Sequence, residues 1–309
     1  MAYFTKILGI IRNKISYSYY KFLVDFCPRI VIDKIWNNTM GRKVNWREPL
    51  DLNEKIEWLI CYGDTSKWTC LADKYKVRNY LREKGHESIL PQLYGVWDDA
   101  FKIDFNSLPQ RFVLKCNHDC GSIRIIDKNL GYDIKIIQKY LNSCLKTKFG
   151  YKTCEPHYNR IKPLIIAEEF LENESSYSKS LIDYKVWCFN GKPYSIFVIY
   201  DRHHDYMYTN LYDLDWNVHP EYSVFTSHFR DGKGRVPKPR NFKQMLSVAA
   251  DLSQGFPEVR VDFYEINGKL YFGEMTFTSA AGRMDYFTKE YLTEMGKQIV
   301  LPNRKKWRF

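Results

Sequence analysis

Charged residues interrupt four segments that otherwise read as buried strands. Lys115 lies in FVLKC (112–116), Glu168 and Glu169 follow LIIA, Asp262 sits inside VRVDFY, and Glu274 closes KLYFGE. An unpaired charge in a core is costly, so such groups pair or bind something. Asp262 and Glu274 stand about six residues either side of Asn267-Gly268, on the two arms of one hairpin, which brings them near each other on one sheet face. Two neighbouring carboxylates repel unless a cation lies between them, and Mg²⁺ takes one or two carboxylates plus substrate phosphates. The alternative is a pair of solvent-facing strand acids. Lys115, ahead of a polar loop with Gly121 and Ser122, supplies a point charge and backbone N–H groups of the kind that meet a phosphate; the alternative is a strand-edge lysine. The G-x-x-x-x-G-K-[ST] pattern is absent, so this is no Walker loop. Cys116 and Cys120 frame His118, but the spacing fits no usual zinc pattern and no second ligand pair is evident.

The elements that must position these residues follow from periodicity. Residues 1–50 read as helical and basic up to the turn-like Met40-Gly41-Arg42. Helices are expected at 53–62, from Trp68 to Lys84, at 132–147, at 241–254 and near 288–299. FVLKC and IRIID (123–127) predict a hairpin around NHDCGS, and LIIAEEF (164–170) a further strand. Asn190-Gly191 and Asn267-Gly268 lie between apolar runs and predict two more hairpins, 184–200 and 259–275. The fold class is α+β. The expected divisions are an extension (1–50), a helical or α+β subdomain (51–110), a first lobe with a lid loop (111–171), a second lobe with the metal site (172–302) and a basic tail (303–309).

The net charge of +11 belongs to the two ends. Residues 1–50 hold nine Lys and Arg against three acids, the tail adds Arg304, Lys305, Lys306 and Arg308, and the body between is nearly neutral. A nucleic-acid binder places its charge on the folded face, so that class is disfavoured. Eight cysteines without a CxxC pair, and no signal peptide, suggest reduced thiols in a cytosolic protein. No apolar run reaches transmembrane length. Phe4, Leu8, Ile11 and Ile15 recur at helical spacing, with Ile7 and Phe22 extending the stripe and Lys6, Arg12, Lys14 and Lys21 interleaved. Such a stripe either lies on an anionic membrane or packs on the protein's own body.

One order runs through the chain: Lys74 opening a helix, Lys115 before a loop, Glu168-Glu169-Phe170-Leu171 ending a strand, then Asp262 and Glu274 across a hairpin. With LADKYKVRNYL (71–81), KPLIIAEEFLE (162–172), DYKVWCFNGKP (183–193) and GFPEVRVDFYEINGKLYFGEMTF (255–277), it resembles the ATP-grasp superfamily, and within it the TupA-like branch of cell-surface polysaccharide clusters. The resemblance spans roughly residues 50–300. It implies an ATP-grasp fold, two α/β lobes clasping ATP, and a ligase joining a carboxylate to an amine through an acyl phosphate. Lys74 and Lys115 would hold the nucleotide phosphates, His118 to Ser122 with Gly121 would form a lid that is mobile without nucleotide, and Glu168, Glu169, Phe170 and Leu171 would form the adenine-reading hinge. Asp262 and Glu274 would hold one or two Mg²⁺, with Thr276 where many relatives carry asparagine, which weakens the second site. Arg260, Arg283, Lys185 and Arg202 are candidates to hold charge on the phosphates or on the substrate carboxylate. The branch implies a uronic acid or sugar-linked acid as the carboxylate partner, a cytoplasmic site, and a membrane surface or glycolipid-linked polymer as a partner for the basic ends. The alternatives are a glycosyltransferase of polysaccharide biosynthesis and a non-catalytic polyanion- or membrane-binding protein.

Overall fold

The computed structural model describes residues 17–173 and 175–304. The helices are α1 (Pro28–Met40), α2 (Leu52–Tyr62), α3 (Ser66–Leu71), α4 (Val77–Glu83), α5 (Ile134–Leu145), α6 (Gly150–Thr153), α7 (Pro156–Asn159), α8 (Phe242–Leu252) and α9 (Lys289–Lys297). The strands are β1 (Leu93–Trp97), β2 (Arg111–Cys116), β3 (Arg124–Asp127), β4 (Ile165–Glu169), β5 (Asp183–Phe189), β6 (Lys192–Tyr200), β7 (Met207–Tyr212), β8 (Phe229–Asp231), β9 (Glu258–Ile266) and β10 (Lys269–Thr276).

Local chemistry explains most boundaries. Asp51 caps α2 by accepting from Glu54 N (2.8 Å), while Glu54 reaches back to Leu50 N (3.0 Å). Asp133 and Thr288 cap α5 and α9 in the same way, and Gly41 (φ 65) stops α1. Both Asn-Gly turns have positive φ at both residues (Asn190 50, Gly191 78; Asn267 51, Gly268 74), the twist-matched geometry that a two-residue hairpin needs. The helix expected from Trp68 to Lys84 is instead two short ones. Asp73 Oδ1 accepts from Tyr75 N, Lys76 N and Asn117 Nδ2, a local turn that competes with the helix and leaves Lys74 in the break.

Two sheets result. The smaller runs β1-β4-β2-β3, and the larger β10-β9-β5-β6-β7-β8. On β2, Phe112, Leu114 and Cys116 are buried while Arg111, Val113 and Lys115 alternate on the other face. Lys115 therefore leaves the core intact. The small sheet buries its apolar face with α5 and the segment 100–108 (Phe105, Phe112, Leu114, Leu141, Ala167). The large sheet belongs to a second core that runs from Ile32 and Trp36 of α1 through Ile56 and Leu59 of α2 to Val186, Val261 and Phe272.

Helices α1 to α4 pack into the core of the large sheet, whereas β1 pairs with β4 in the small one. The stripe from Phe4 to Ile15 and the tail residues Lys305, Lys306 and Arg308 lie outside the described residues. Residues 24–50 pack on the body through Val24, Ile32, Trp36 and Val44. No described helix is long and apolar enough to cross a membrane.

Candidate functional site

The chain leaves the small sheet at Glu169 and enters the large one at Asp183. Between the two sheets lies a cleft of about 890 Å³, within the range of small-molecule sites. It is lined by Lys74, Lys115, Glu168 to Leu171, Lys185, Asp262 and Glu274, all singled out from sequence. From β2, β3 and the residue just before β3 come Val113, Ile125 and Ile123, apolar surface fit for a flat ring.

The large-sheet wall is built by strand registry. Lys185 of β5 pairs with Asp262 of β9, and Asp262 with Glu274 of β10, so three charges stand abreast on one face. Asp262 is five residues from its turn and Glu274 six, a mismatch that would place them on opposite faces. A bulge between Phe272 and Glu274 absorbs the extra residue. Gly273 occupies it, and a Cβ there would lie 3.0 Å from Asp262 O.

Asp262 is only 2% exposed. Its Oδ1 accepts from Arg260 Nε (2.6 Å), and its Oδ2 from Arg260 Nη2 (2.7 Å) and Lys185 Nζ (2.5 Å). Burial would raise its pKa, but the two cations outweigh burial and hold it below the ordinary value. Arg260 Nη2 also reaches Glu274 Oε1 (3.3 Å) and Thr276 Oγ1 (3.1 Å), and Nη1 reaches Ser279 Oγ (2.9 Å). Glu274, 40% exposed, is the member open to the cleft. Asp183 pairs with Arg202 at the rim and lies 3.8 Å from Lys185.

On the opposite wall Lys115 Nζ meets Glu168 Oε2 (2.5 Å), and Arg78 meets Glu168 Oε1 (3.2 Å) and Pro91 O (2.7 Å). Lys74 Nζ donates to Asp119 O (2.6 Å). The ammonium groups of Lys74 and Lys115 thus approach one cleft from the turn after α3 and from β2.

The donor set fits a hard cation. An ionised carboxylate has about four lone-pair directions. Oδ2 of Asp262 spends two on cations, and Oδ1 keeps one. Glu274 stands beside it with a solvent-accessible carboxylate. Among the described residues no group of three or more His, Cys, Asp or Glu is placed to hold a metal ion. Two carboxylates with a neighbouring hydroxyl suit Mg²⁺ that takes its remaining ligands from phosphates and water, with Thr276 as the weak member.

Several expected residues lie elsewhere. Arg283 is not brought to the cleft lining. It is buried against Glu57 (2.6 Å) and donates to Thr153 O (2.9 Å), tying the segment after β10 to α2. The loop expected as a lid is largely anchored. His118 is buried with Nε2 donating to Thr147 O (3.0 Å), and Ser122 is buried between Asp119 Oδ1 (2.6 Å) and Cys116 N (2.8 Å). Those anchors contradict a loop that is free as a whole; only Cys120 and Gly121 are exposed. Sequence reading missed Arg78, Asp183, Tyr264 and Gly273. Asp183 had a signal, being two residues before Lys185 on the same strand face; Gly273 had one in the uneven turn count.

Residues 54–300 match the model of a family described as TupA-like ATPgrasp. No curated protein matches significantly. Solved structures match at low identity. They include an ATP complex of D-alanine–D-alanine ligase from Bacillus anthracis (14% identity, TM-score 0.38, 67% of this chain and 54% of that one). D-cycloserine synthetase matches at 16% identity and TM-score 0.41, over 75% and 70% of the two chains. N5-carboxyaminoimidazole ribonucleotide synthetase, as an ADP complex, matches at 10% and 0.42, over 69% and 46%. The chain thus spans about half the length of the first of these, 54%. The family match covers most of the chain and contains every cleft residue named above: the chain belongs to the TupA-like ATP-grasp family.

Proposed function

We propose that the protein is an ATP- and Mg²⁺-dependent carboxylate–amine ligase. A carboxylate oxygen of the acceptor attacks the γ-phosphorus of ATP and ADP leaves; an amine nitrogen then attacks the acyl carbon and phosphate leaves. The observation that carries this reading is the row Lys185–Asp262–Glu274, with Arg260 behind it, facing Lys115 and Lys74 across one cleft. Cations from both walls and a carboxylate pair are what a transferring phosphoryl group requires. Lys74 and Lys115 hold phosphate oxygens, and Glu168 to Leu171, where the chain crosses between lobes, hold adenine and ribose. Arg260, fixed by Asp262 and Ser279 behind the row, adds positive charge beneath the phosphoryl group. Asp262 and Glu274, with Thr276 beside them, hold Mg²⁺, which supplies neutralisation of phosphate charge. The closed cleft keeps water from an acyl phosphate.

Family membership further favours a uronic acid or sugar-linked acid of cell-surface polysaccharide as the carboxylate, and a cytoplasmic protein held at the membrane's inner face by its basic ends. The test is ADP release with Mg²⁺ and panels of uronic acids and amino acids, comparing the parent with Lys115→Ala and Glu274→Ala. Release that needs both partners and is lost in both variants supports the ligase. No ATP turnover with any acceptor sinks it, and consumption of a nucleotide sugar would favour a glycosyltransferase.

A further inference from the structure

The apolar stripe noted at the N-terminus continues into the described residues, and there it faces outward. Tyr19, Phe22, Phe26 and Ile30 are 61%, 51%, 68% and 57% exposed. They follow at spacings of three and four, and the Phe22 and Phe26 rings touch (centroids 5.1 Å apart). The same spacing runs back through the sequence to Ile15, Ile11, Leu8 and Phe4. The opposite side of this segment is spoken for, since Val24, Pro28, Val31, Ile32 and Trp36 are buried on the body. Scattered exposed apolar residues need no explanation; Tyr19, Phe22 and Phe26 share the helical run 17–26, and Ile30 follows just past its break at Cys27, a neighbouring set of large side chains that marks a contact surface.

Charge identifies the occupant. The bases of the segment, Lys21, Arg29 and Lys34, reach the surface, Arg29 and Lys34 exposed and Lys21 half-buried. Both of its acids are exposed as well, but each is tied to a neighbour. Asp25 accepts from Tyr151 OH (2.7 Å), and Asp33 from Trp46 Nε1 (2.7 Å). Asp33 also pairs with Arg29 (3.7 Å), so the positive excess comes from Lys21, Lys34 and the nine bases against three acids of residues 1–50, and the apolar face belongs to a cationic end of the chain. A second copy would bring like charge against like, whereas an anionic bilayer offers acyl chains to the rings and headgroups to the bases. We infer that Tyr19, Phe22, Phe26 and Ile30 form the surface by which the protein lies on an anionic lipid bilayer. This deepens the membrane placement proposed above and rests on it.

The experiment sediments the full chain with vesicles of mixed phosphatidylglycerol and phosphatidylcholine, and with phosphatidylcholine alone. The parent is expected to pellet with the first and not the second. The triple variant Phe22→Ser, Phe26→Ser, Ile30→Ser should melt at the parent's temperature and bind about tenfold more weakly or worse, since each buried apolar side chain adds to partitioning. Lys21→Gln with Lys34→Gln should weaken binding and flatten its salt dependence. A triple variant that binds like the parent overturns this face while leaving attachment by the basic ends intact. A parent that binds neither vesicle overturns the membrane placement itself. A parent that is dimeric in solution, and monomeric as the triple variant, gives the face to a second copy instead.

Discussion

Arg260 and Arg283 sit in two buried charge clusters of nearly the same chemistry. Arg260 forks onto Asp262 at 2.6 and 2.7 Å, and Arg283 meets Glu57 at 2.6 Å. Both acids are almost inaccessible. The difference lies on the far side of each acid. Behind Asp262 come Lys185, Glu274 and the cleft. Behind Glu57 come Ile56 and Gly282, whose Cβ position is only 3.1 Å from Glu57 Cγ. The first cluster can exchange partners with a ligand; the second is sealed and can only hold the fold. Buried charge alone marks neither role, and access decides.

The largest expected effect tests the sealed cluster. Burial pushes the Glu57 carboxyl up to about 8 although Arg283 pulls it down. The folded value exceeds the unfolded one, near 4.3 for an ordinary glutamate. The native state therefore keeps a proton that the unfolded chain has released, and stability falls as pH rises between those values. Above about 8, Glu57 is ionised and depends on Arg283. Arg283→Leu should cost about 3–5 kcal/mol at pH 9 and distinctly less at pH 6, where Glu57 is protonated. Urea unfolding at the two pH values measures this. ATP–Mg²⁺ should still raise the melting temperature of the variant; if it does not, Arg283 serves the cleft after all.

The open cluster should behave in the opposite way. Glu274→Gln changes a 40% exposed group, so stability should move by less than about 1 kcal/mol. Turnover, measured as ADP release, should fall about a hundredfold, the scale of losing one charge-stabilising group at a reacting centre. A large loss of stability with turnover retained would reverse the contrast between the clusters.

How much of this was legible beforehand depends on how local the cause is. The Asn190-Gly191 and Asn267-Gly268 hairpins follow from two adjacent residues, and the carboxylate pair could be counted from the second turn. The offset of one residue, five against six, was a bulge signal that the even count passed over, and registry located it at Gly273. The break at Asp73 was only partly legible: its bonds to Tyr75 N and Lys76 N are local, but Asn117, which completes the set, is 44 residues away. Nor was the separation of Arg260 from Arg283. Arg260 lies within β9 and Arg283 follows β10, both beside aromatics, and what divides them is Glu57, 226 residues from Arg283. The freedom of the 118–122 loop was overestimated for the same reason, since Ser122 bonds locally but His118 is anchored by Thr147, 29 residues on.

A smaller effect probes what fills the open cluster before ligand arrives. Lys185 and Arg260 already neutralise Asp262, so a divalent cation alone must compete with them. Lys185→Met removes one competitor. Mn²⁺ binding to the nucleotide-free protein, read from the loss of free-ion electron spin resonance signal, should tighten about tenfold, since one opposite charge at contact shifts such an equilibrium by a decade or more. Unchanged or weaker Mn²⁺ binding would mean that Lys185 does not contend for the metal's oxygen.

The smallest expected effect concerns Gly273. An alanine Cβ there would lie 3.0 Å from Asp262 O and 3.3 Å from Tyr264 Cε2, closer than strand and ring tolerate without a shift. Tyr264 is a ring edge and can give a little; the β9 backbone cannot give without moving Asp262. Gly273→Ala should cost about 1 kcal/mol of stability by overpacking. The more telling readout is linkage. If the bulge aligns Glu274 with Asp262, the rise in melting temperature on adding ATP–Mg²⁺ should shrink, because a ligand stabilises the fold only through its affinity for the native state. A variant that is destabilised yet keeps the full ATP–Mg²⁺ response would show that the two acids tolerate a shifted bulge, and that registry alone is not what makes the open cluster a site.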